Sequence, residues 1–172
     1  MSKTATYALI ESQTLGSNTT TVSFTSIPAT YTDLILVCRP AAIDAEYNSI
    51  IMRFNNDSSA LYSWTFLRGN GTSATTGRST GDTRIYLGQF ALNSTVGDQH
   101  FIINVQDYAN TSTNKTVIVR SNRASSSLEA TAGLYRSTNA INRVDIETSA
   151  GSVNQIKSGS TFRLYGIQAG NA

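Results

Sequence analysis

The chain has 172 residues, 40% of them hydrophobic and 14% charged, which is enough apolar material for one well-buried core and makes a single domain spanning 1–172 the expectation. Its 13 basic and 11 acidic residues leave a formal charge of +2 and are scattered singly. With no basic run to neutralise a row of phosphates, the charge pattern argues against nucleic acid as a partner.

Period-two alternation of β-branched and aromatic residues between turn clusters runs through the chain and predicts strands. Tyr7 and Leu9 are expected to face inward on the first. The turn Leu15-Gly16-Ser17-Asn18 then leads into Thr19 to Phe24, where Val22 and Phe24 alternate with polar neighbours. Ile27-Pro28-Ala29-Thr30 reads as a connection, because proline lacks the N–H that a ladder needs. Leu34 to Cys38 is apolar at both parities, the mark of a strand covered on both faces or lying in a subunit contact. In Asn48 to Phe54, Ile50, Met52 and Phe54 share a face. After an Asn55-Asn56-Asp57-Ser58 turn, Tyr62, Trp64 and Phe66 line one side of the next strand.

From Gly69 to Gly81 no apolar residue is larger than alanine, and the composition reads as the longest loop. Strands are expected again at Thr83 to Phe90, His100 to Val105, Thr116 to Arg120, Leu128 to Leu134, Arg143 to Glu147 and Thr161 to Ile167. In Leu128 to Leu134 the apolar residues Leu128, Ala130, Ala132 and Leu134 are in phase. About ten strands at this spacing predict an all-β fold, a two-sheet antiparallel β-sandwich of jelly-roll or Greek-key type. Serine and threonine form about a quarter of the chain, and on strand faces they keep solubility without charge.

Catalytic chemistry has little to draw on. The one histidine, His100, starts a strand and reads as a surface or strand-edge side chain. Cys38 is the one cysteine; it is expected to be a buried small apolar residue, with no intrachain disulfide and synthesis in a reducing cytoplasm. No metal-ligand, nucleophile-elbow or phosphate-loop motif occurs, so neither cofactor nor metal is expected. Among the carboxylates, Asp44 and Glu46 lie close in sequence and Asp145 and Glu147 share a strand face, while Asp57, Asp82, Asp98 and Asp107 sit in turn-like positions. None makes a glycosidase signature; a pair two apart on a strand is expected to form a solvated face. The Asn55-Asn56-Asp57 turn reads as an Asx turn in preference to a calcium site. No apolar run reaches the roughly 20 residues of a membrane helix, and Met1 to Thr4 lacks the pattern of a secretory leader, so neither a membrane nor secretion is expected. Tyr47, Tyr86, Tyr108 and Tyr135, with Arg39, Arg53, Arg68, Arg84, Arg120, Arg123, Arg136 and Arg143, are candidates for contact surfaces.

Three stretches together carry a resemblance: Ile27-Pro28-Ala29-Thr30-Tyr31-Thr32-Asp33-Leu34, then Arg53-Phe54-Asn55 with Tyr62-Ser63-Trp64 downstream, and the closing Gly159-Ser160-Thr161-Phe162-Arg163-Leu164-Tyr165-Gly166-Ile167. In order and spacing over nearly the whole chain it resembles the small β-sandwich virion proteins of tailed bacteriophages, a group that includes head decoration (cement) proteins and related tail or fibre modules. The resemblance implies a non-enzymatic structural protein made in the host cytoplasm and carried on the capsid surface. Its implied partners are the major capsid protein and further copies of itself, as a homotrimer around a threefold axis. Candidate lattice contacts are the Gly69 to Gly81 loop and the segment from Cys38 to Glu46. The competing expectation is a tail or fibre-associated receptor-binding module that recognises host surface glycans. A polysaccharide depolymerase, needing paired acids in a cleft, is a remote third.

Overall fold

The computed structural model describes residues 6–41, 48–90, 99–124, 126–149 and 155–168. Twelve strands cover Tyr7–Thr14 (β1), Thr21–Phe24 (β2), Asp33–Arg39 (β3), Asn48–Phe54 (β4), Tyr62–Gly69 (β5) and Ala74–Asp82 (β6). The second half contributes Ile85–Phe90 (β7), Gln99–Gln106 (β8), Lys115–Arg123 (β9), Ser127–Tyr135 (β10), Val144–Thr148 (β11) and Thr161–Ile167 (β12). They form two antiparallel sheets, one of eight strands in the order β1-β12-β3-β8-β9-β10-β5-β6 and one of four in the order β2-β11-β4-β7.

Within this arrangement β1-β12-β3-β8 faces β2-β11-β4-β7, and successive strands of that octet alternate between the sheets except at β4 and β7, which pair within the small one. That is the strand order of a jelly roll. The β5–β6 and β9–β10 hairpins are added to it, and both extend the same sheet beyond β8. The all-β sandwich expected from the alternation is the fold.

The core lies between the sheets. Leu34, Leu36 and Cys38 on β3, Phe101, Ile103 and Val105 on β8, and Val117 and Val119 on β9 point inward from the large sheet. Val22, Phe24, Ile50, Met52, Phe54 and Ile146 meet them from the small one. Each fully buried side chain of this size contributes about 1.5–3 kcal/mol by leaving water. Gly166 makes one close approach possible: a Cβ there would overlap the Tyr31 ring, which lies over the β12 backbone and belongs to the Ile27–Leu34 stretch noted above.

The Asn55-Asn56 turn is a type I′ turn, with φ of 52° and 56° at the two central residues and the Asp57 N–H donating to Phe54 O at 2.8 Å. It passes the chain from β4 in the small sheet towards β5 in the large one. Asn55 also ties down the segment before β11: its Oδ1 accepts from Asn142 N (3.0 Å) and Arg143 N (3.2 Å), and its Nδ2 donates to Ala140 O (2.9 Å). The expected Asx geometry occurs at Asp57, whose Oδ1 accepts from Ser59 N at 2.8 Å and from Ser59 Oγ.

Asp57 Oδ2 accepts from the Tyr135 hydroxyl at 2.7 Å, and these bonds, those from Ser59 first, hold its carboxyl below the usual value of 3.8. A carboxyl depressed in the folded state adds stability above its unfolded pKa and loses it as pH falls through the folded one. Thermal melts from pH 6 down to pH 2 should therefore show Asp57→Asn losing less stability on acidification than the wild type. An identical acid slope in the two proteins would refute the assignment.

Four expectations need correction. Gly69 to Gly81 is no loop: it is the end of β5, a short Asn70–Ser73 turn and strand β6, paired with β5 from Gly69↔Ala74 to Tyr62↔Asp82. An edge strand gets its hydrogen bonds from one neighbour and needs no apolar residue of its own. Gly77 has a further reason, since a Cβ there would lie 2.5 Å from Phe66 Cε1. Tyr7 and Leu9, both 56% exposed, face outward, while Ala8 and Ile10 turn in; a bulge between Leu9 and Glu11 then resets the phase.

Tyr86, Tyr108 and Tyr135 are buried, so they form no contact surface. Tyr108 donates its hydroxyl to Pro28 O and Tyr135 donates to Asp57. Nor do Asp145 and Glu147 form a solvated face. Asp145 is buried, accepting from Ser23 Oγ at 2.6 Å and from Arg143 Nε, and Glu147 pairs with Arg53. Asp44, Glu46, Tyr47 and Asp98 lie outside the described residues, as does the Cys38 to Glu46 segment beyond Ala41.

Candidate functional site

The outer face of the eight-stranded sheet is the feature that sets this sandwich apart. On β10 the buried parity is Glu129, Thr131, Gly133 and Tyr135, so the in-phase row Leu128, Ala130, Ala132, Leu134 points away from the core. Cross-strand register sets Ala132 beside Ile118 of β9, then Asn104 of β8, Ile35 of β3, Tyr165 of β12 and Leu9 of β1. A second line runs from Leu67 through Ala130, Arg120 and Ile102 to Val37 and Arg163.

The exposed large apolar side chains among the described residues are Tyr7, Leu9, Leu67, Ile118 and Leu128, and all five are on this one face, Leu128 being 67% exposed. Apolar side chains scattered singly over a surface need no explanation, whereas a contiguous set on one face marks an interaction surface. The double-parity apolar run of β3 is explained in the same way: Leu34, Leu36 and Cys38 fill the core, and Ile35 and Val37 stand half-buried on the open side.

Two depressions lie on this face. One, of about 370 Å3, is bordered by His100, Ile102, Arg120, Asn122, Leu128 and Ala130. The other, of about 580 Å3, crosses β10, β5 and β6 and is bordered by Ser63, Thr65, Arg78, Ala132 and Leu134. His100, expected at the surface or a strand edge, is on the outer face of a central strand, with a half-buried side chain in the wall of the first.

The arginines divide by position. Arg53, Arg68 and Arg143 make ion pairs with Glu147, Glu129 and Asp145, and Arg84 stands 4.0 Å from Asp82. Arg136 donates to Leu61 O and Ser63 Oγ, and Arg123 to Gln89 Oε1 at 3.5 Å. The four exposed guanidiniums of Arg39, Arg78, Arg120 and Arg163 are on the open sheet face, where Asp33 is the one carboxylate among the described residues. Asp33 is itself engaged, accepting the Asp107 N–H at 2.7 Å.

A second region lies on the inner side, where β7 covers the added hairpins. Trp64, Phe66 and Tyr86 form an aromatic cluster with ring centroids 5.1–6.1 Å apart, and the Arg68 guanidinium stands 4.9 Å from the Phe66 centroid. Trp64 Nε1 donates to Asp82 at 2.9 Å. The expected single face of Tyr62, Trp64 and Phe66 is the inner one; Tyr62 is fully buried and the other two are half-buried. Arg68 Nε donates to Glu129 Oε2 at 2.7 Å and its Nη2 to the Tyr86 hydroxyl, and burial beside Glu129 pushes that hydroxyl far above the ordinary value.

Next to this cluster Gln99, Arg123 Nε, Glu129 Oε1 and Thr131 Oγ1 are buried without hydrogen-bond partners. They adjoin a polar cleft of about 310 Å3 lined by Arg68, Gln89 and Arg123 with Asn70, Ser73 and Ser126. Sequence reasoning missed this polar end, because Gln99 and Glu129 are placed inward only by the phase of strands whose other parity is equally apolar or neutral.

Burial raises the Cys38 thiol far above its ordinary pKa, leaving it protonated and unreactive. A thiol reagent at pH 8 should label it at least about 100-fold more slowly in the native protein than in denaturant. Equal rates would place Cys38 at the surface. Among the described residues no three His, Cys, Asp or Glu side chains gather as a metal site would need. No protein-family model and no curated protein matches the chain.

Proposed function

We propose that this chain is a virion structural protein of a tailed phage, a decoration protein that binds the outside of the assembled head and adds interface between major capsid proteins. The observation that carries the reading is the open face of the eight-stranded sheet, which keeps apolar side chains and exposed arginines at the surface of a jelly roll. The resemblance of the Ile27–Leu34, Arg53–Trp64 and Gly159–Ile167 stretches to small phage sandwich proteins supplies the setting. The mechanism is mass action: a protein that binds only the assembled lattice stabilises it, by about 2.7 kcal/mol per site at a hundredfold excess over Kd.

Purified protein added to heads that lack it should raise the temperature at which they release DNA, and electron cryomicroscopy should find its density on the shell. Density confined to the tail tip would overturn the reading. One observation favours a receptor-binding module instead, namely the polar cleft around Arg68, Gln89 and Arg123 with its unpartnered buried groups. Trp64 and Phe66 are turned inward against Tyr86 and offer a sugar ring no open aromatic face to stack on. Glycan-array binding abolished by Arg123→Ala would nevertheless establish it.

A further inference from the structure

The geometry points to the outer face of the eight-stranded sheet as the docking face, and to its occupant as a protein surface that presents an apolar anchor side chain flanked by carboxylates. The inference rests on the decoration reading for the identity of that surface, the head shell, and on the fold alone for its chemistry.

Extent is the first argument. Eight strands about 4.8 Å apart, with about seven residues each at about 3.4 Å, span about 900 Å2. A stable protein interface needs about 800 Å2 from each partner, so this single face suffices. Without the two added hairpins the sheet would keep four strands and about half that area.

Charge is the second, and it selects the occupant. Arg39, Arg78, Arg120 and Arg163 stand on the face with Asp33 as their one counterpart among the described residues, and Arg120 projects from the central strand β9. Pairing the face with a second copy would set like charges against one another, which costs binding energy. Carboxylates across the interface would instead meet guanidiniums in the planar, two-bonded geometry that arginine favours.

Relief is the third. The 370 Å3 depression has Ile102, Leu128 and Ala130 as apolar walls with Arg120 beside them. An apolar side chain seated there with a carboxylate next to it would satisfy both, and central pockets of this kind carry most of an interface's binding energy.

The test uses intact virions and the whole chain. A photo-crosslinking residue is placed at Leu128, or at exposed Thr21 on β2 of the small sheet, and the linked protein is identified by mass spectrometry. In parallel, Leu128→Ser, Ile118→Ser, Arg120→Glu, Arg120→Lys and Thr21→Glu are titrated onto stripped heads at low and high salt, with melting curves to confirm that each is folded.

The inference expects Leu128, and not Thr21, to link to the shell protein. It expects the two serine variants and Arg120→Glu to weaken binding at least about 30-fold, with Arg120→Lys in between and Thr21→Glu unchanged. Arg120→Glu should also flatten the salt dependence. Links from Leu128 to a tail protein, with the same variant pattern, would sink the decoration reading and keep the docking face. Links from Leu128 only to other copies of this chain would overturn the occupant. A shell link made from Thr21 alone, or unchanged binding by the serine variants, would overturn the face and leave the decoration reading standing. Absence of the protein from virions would overturn both.

Discussion

Replacing Tyr62 with alanine is expected to cost about 5 kcal/mol, lowering the melting temperature by about 15 °C for a chain of this size. The ring is fully buried and stacks on Tyr135 with centroids 4.6 Å apart, so its removal leaves a cavity between the sheets. Its hydroxyl accepts from Phe54 N at 3.2 Å and donates to Asp57 O at 3.0 Å, which holds the β4–β5 turn against the start of the next strand. Tyr62→Phe keeps the ring and loses only those bonds, so about 1.5 kcal/mol is expected. Chemical denaturation of the three proteins separates packing from hydrogen bonding. Similar losses for Phe and Ala would mean that the hydroxyl, and not the ring, holds this corner.

Asn55→Ala is the other large effect, with an expected loss of about 4 kcal/mol. Three side-chain hydrogen bonds to residues 140–143 disappear, at about 1 kcal/mol each, and alanine pays about 1 kcal/mol more for the left-handed backbone. Asn55→Gly removes the bonds and spares the strain, so it should lose about 3 kcal/mol. Denaturant midpoints for the two variants give the comparison, and a glycine variant as stable as the wild type would show that the side-chain bonds contribute nothing. Because Asn55 and Tyr62 brace the same turn, their combined loss should be smaller than the two separate losses added together.

Much of the fold is legible from alternation. Asn48–Phe54 and Thr161–Ile167 stand where the pattern sets them, and Ile50, Met52 and Phe54 share the buried face. What alternation does not give is the side. Period two fixes which residues share a face, and the expectation that the apolar row of β1 goes inward fails, Leu9 standing in the open as the Leu128 row of β10 also does. It fails for a physical reason: those rows complete a surface and not a core, and composition is the same for both. Strand β6 was hidden for the opposite reason, since its pairing comes from β5 and nothing in Ala74–Asp82 advertises it. The same ambiguity conceals Glu129 and Gln99, polar residues whose inward direction depends on their neighbours in register.

The two hairpins spliced into the jelly roll have a consequence for how such a molecule can change. They widen one side of the slab and leave the strand order of the octet unaltered. Because Tyr62, Val117, Val119 and Tyr135 of those hairpins also fill the core, it is their outward rows, Leu67, Ile118, Leu128 and Ala130 among them, that descendants could recolour while the packing beneath stayed the same.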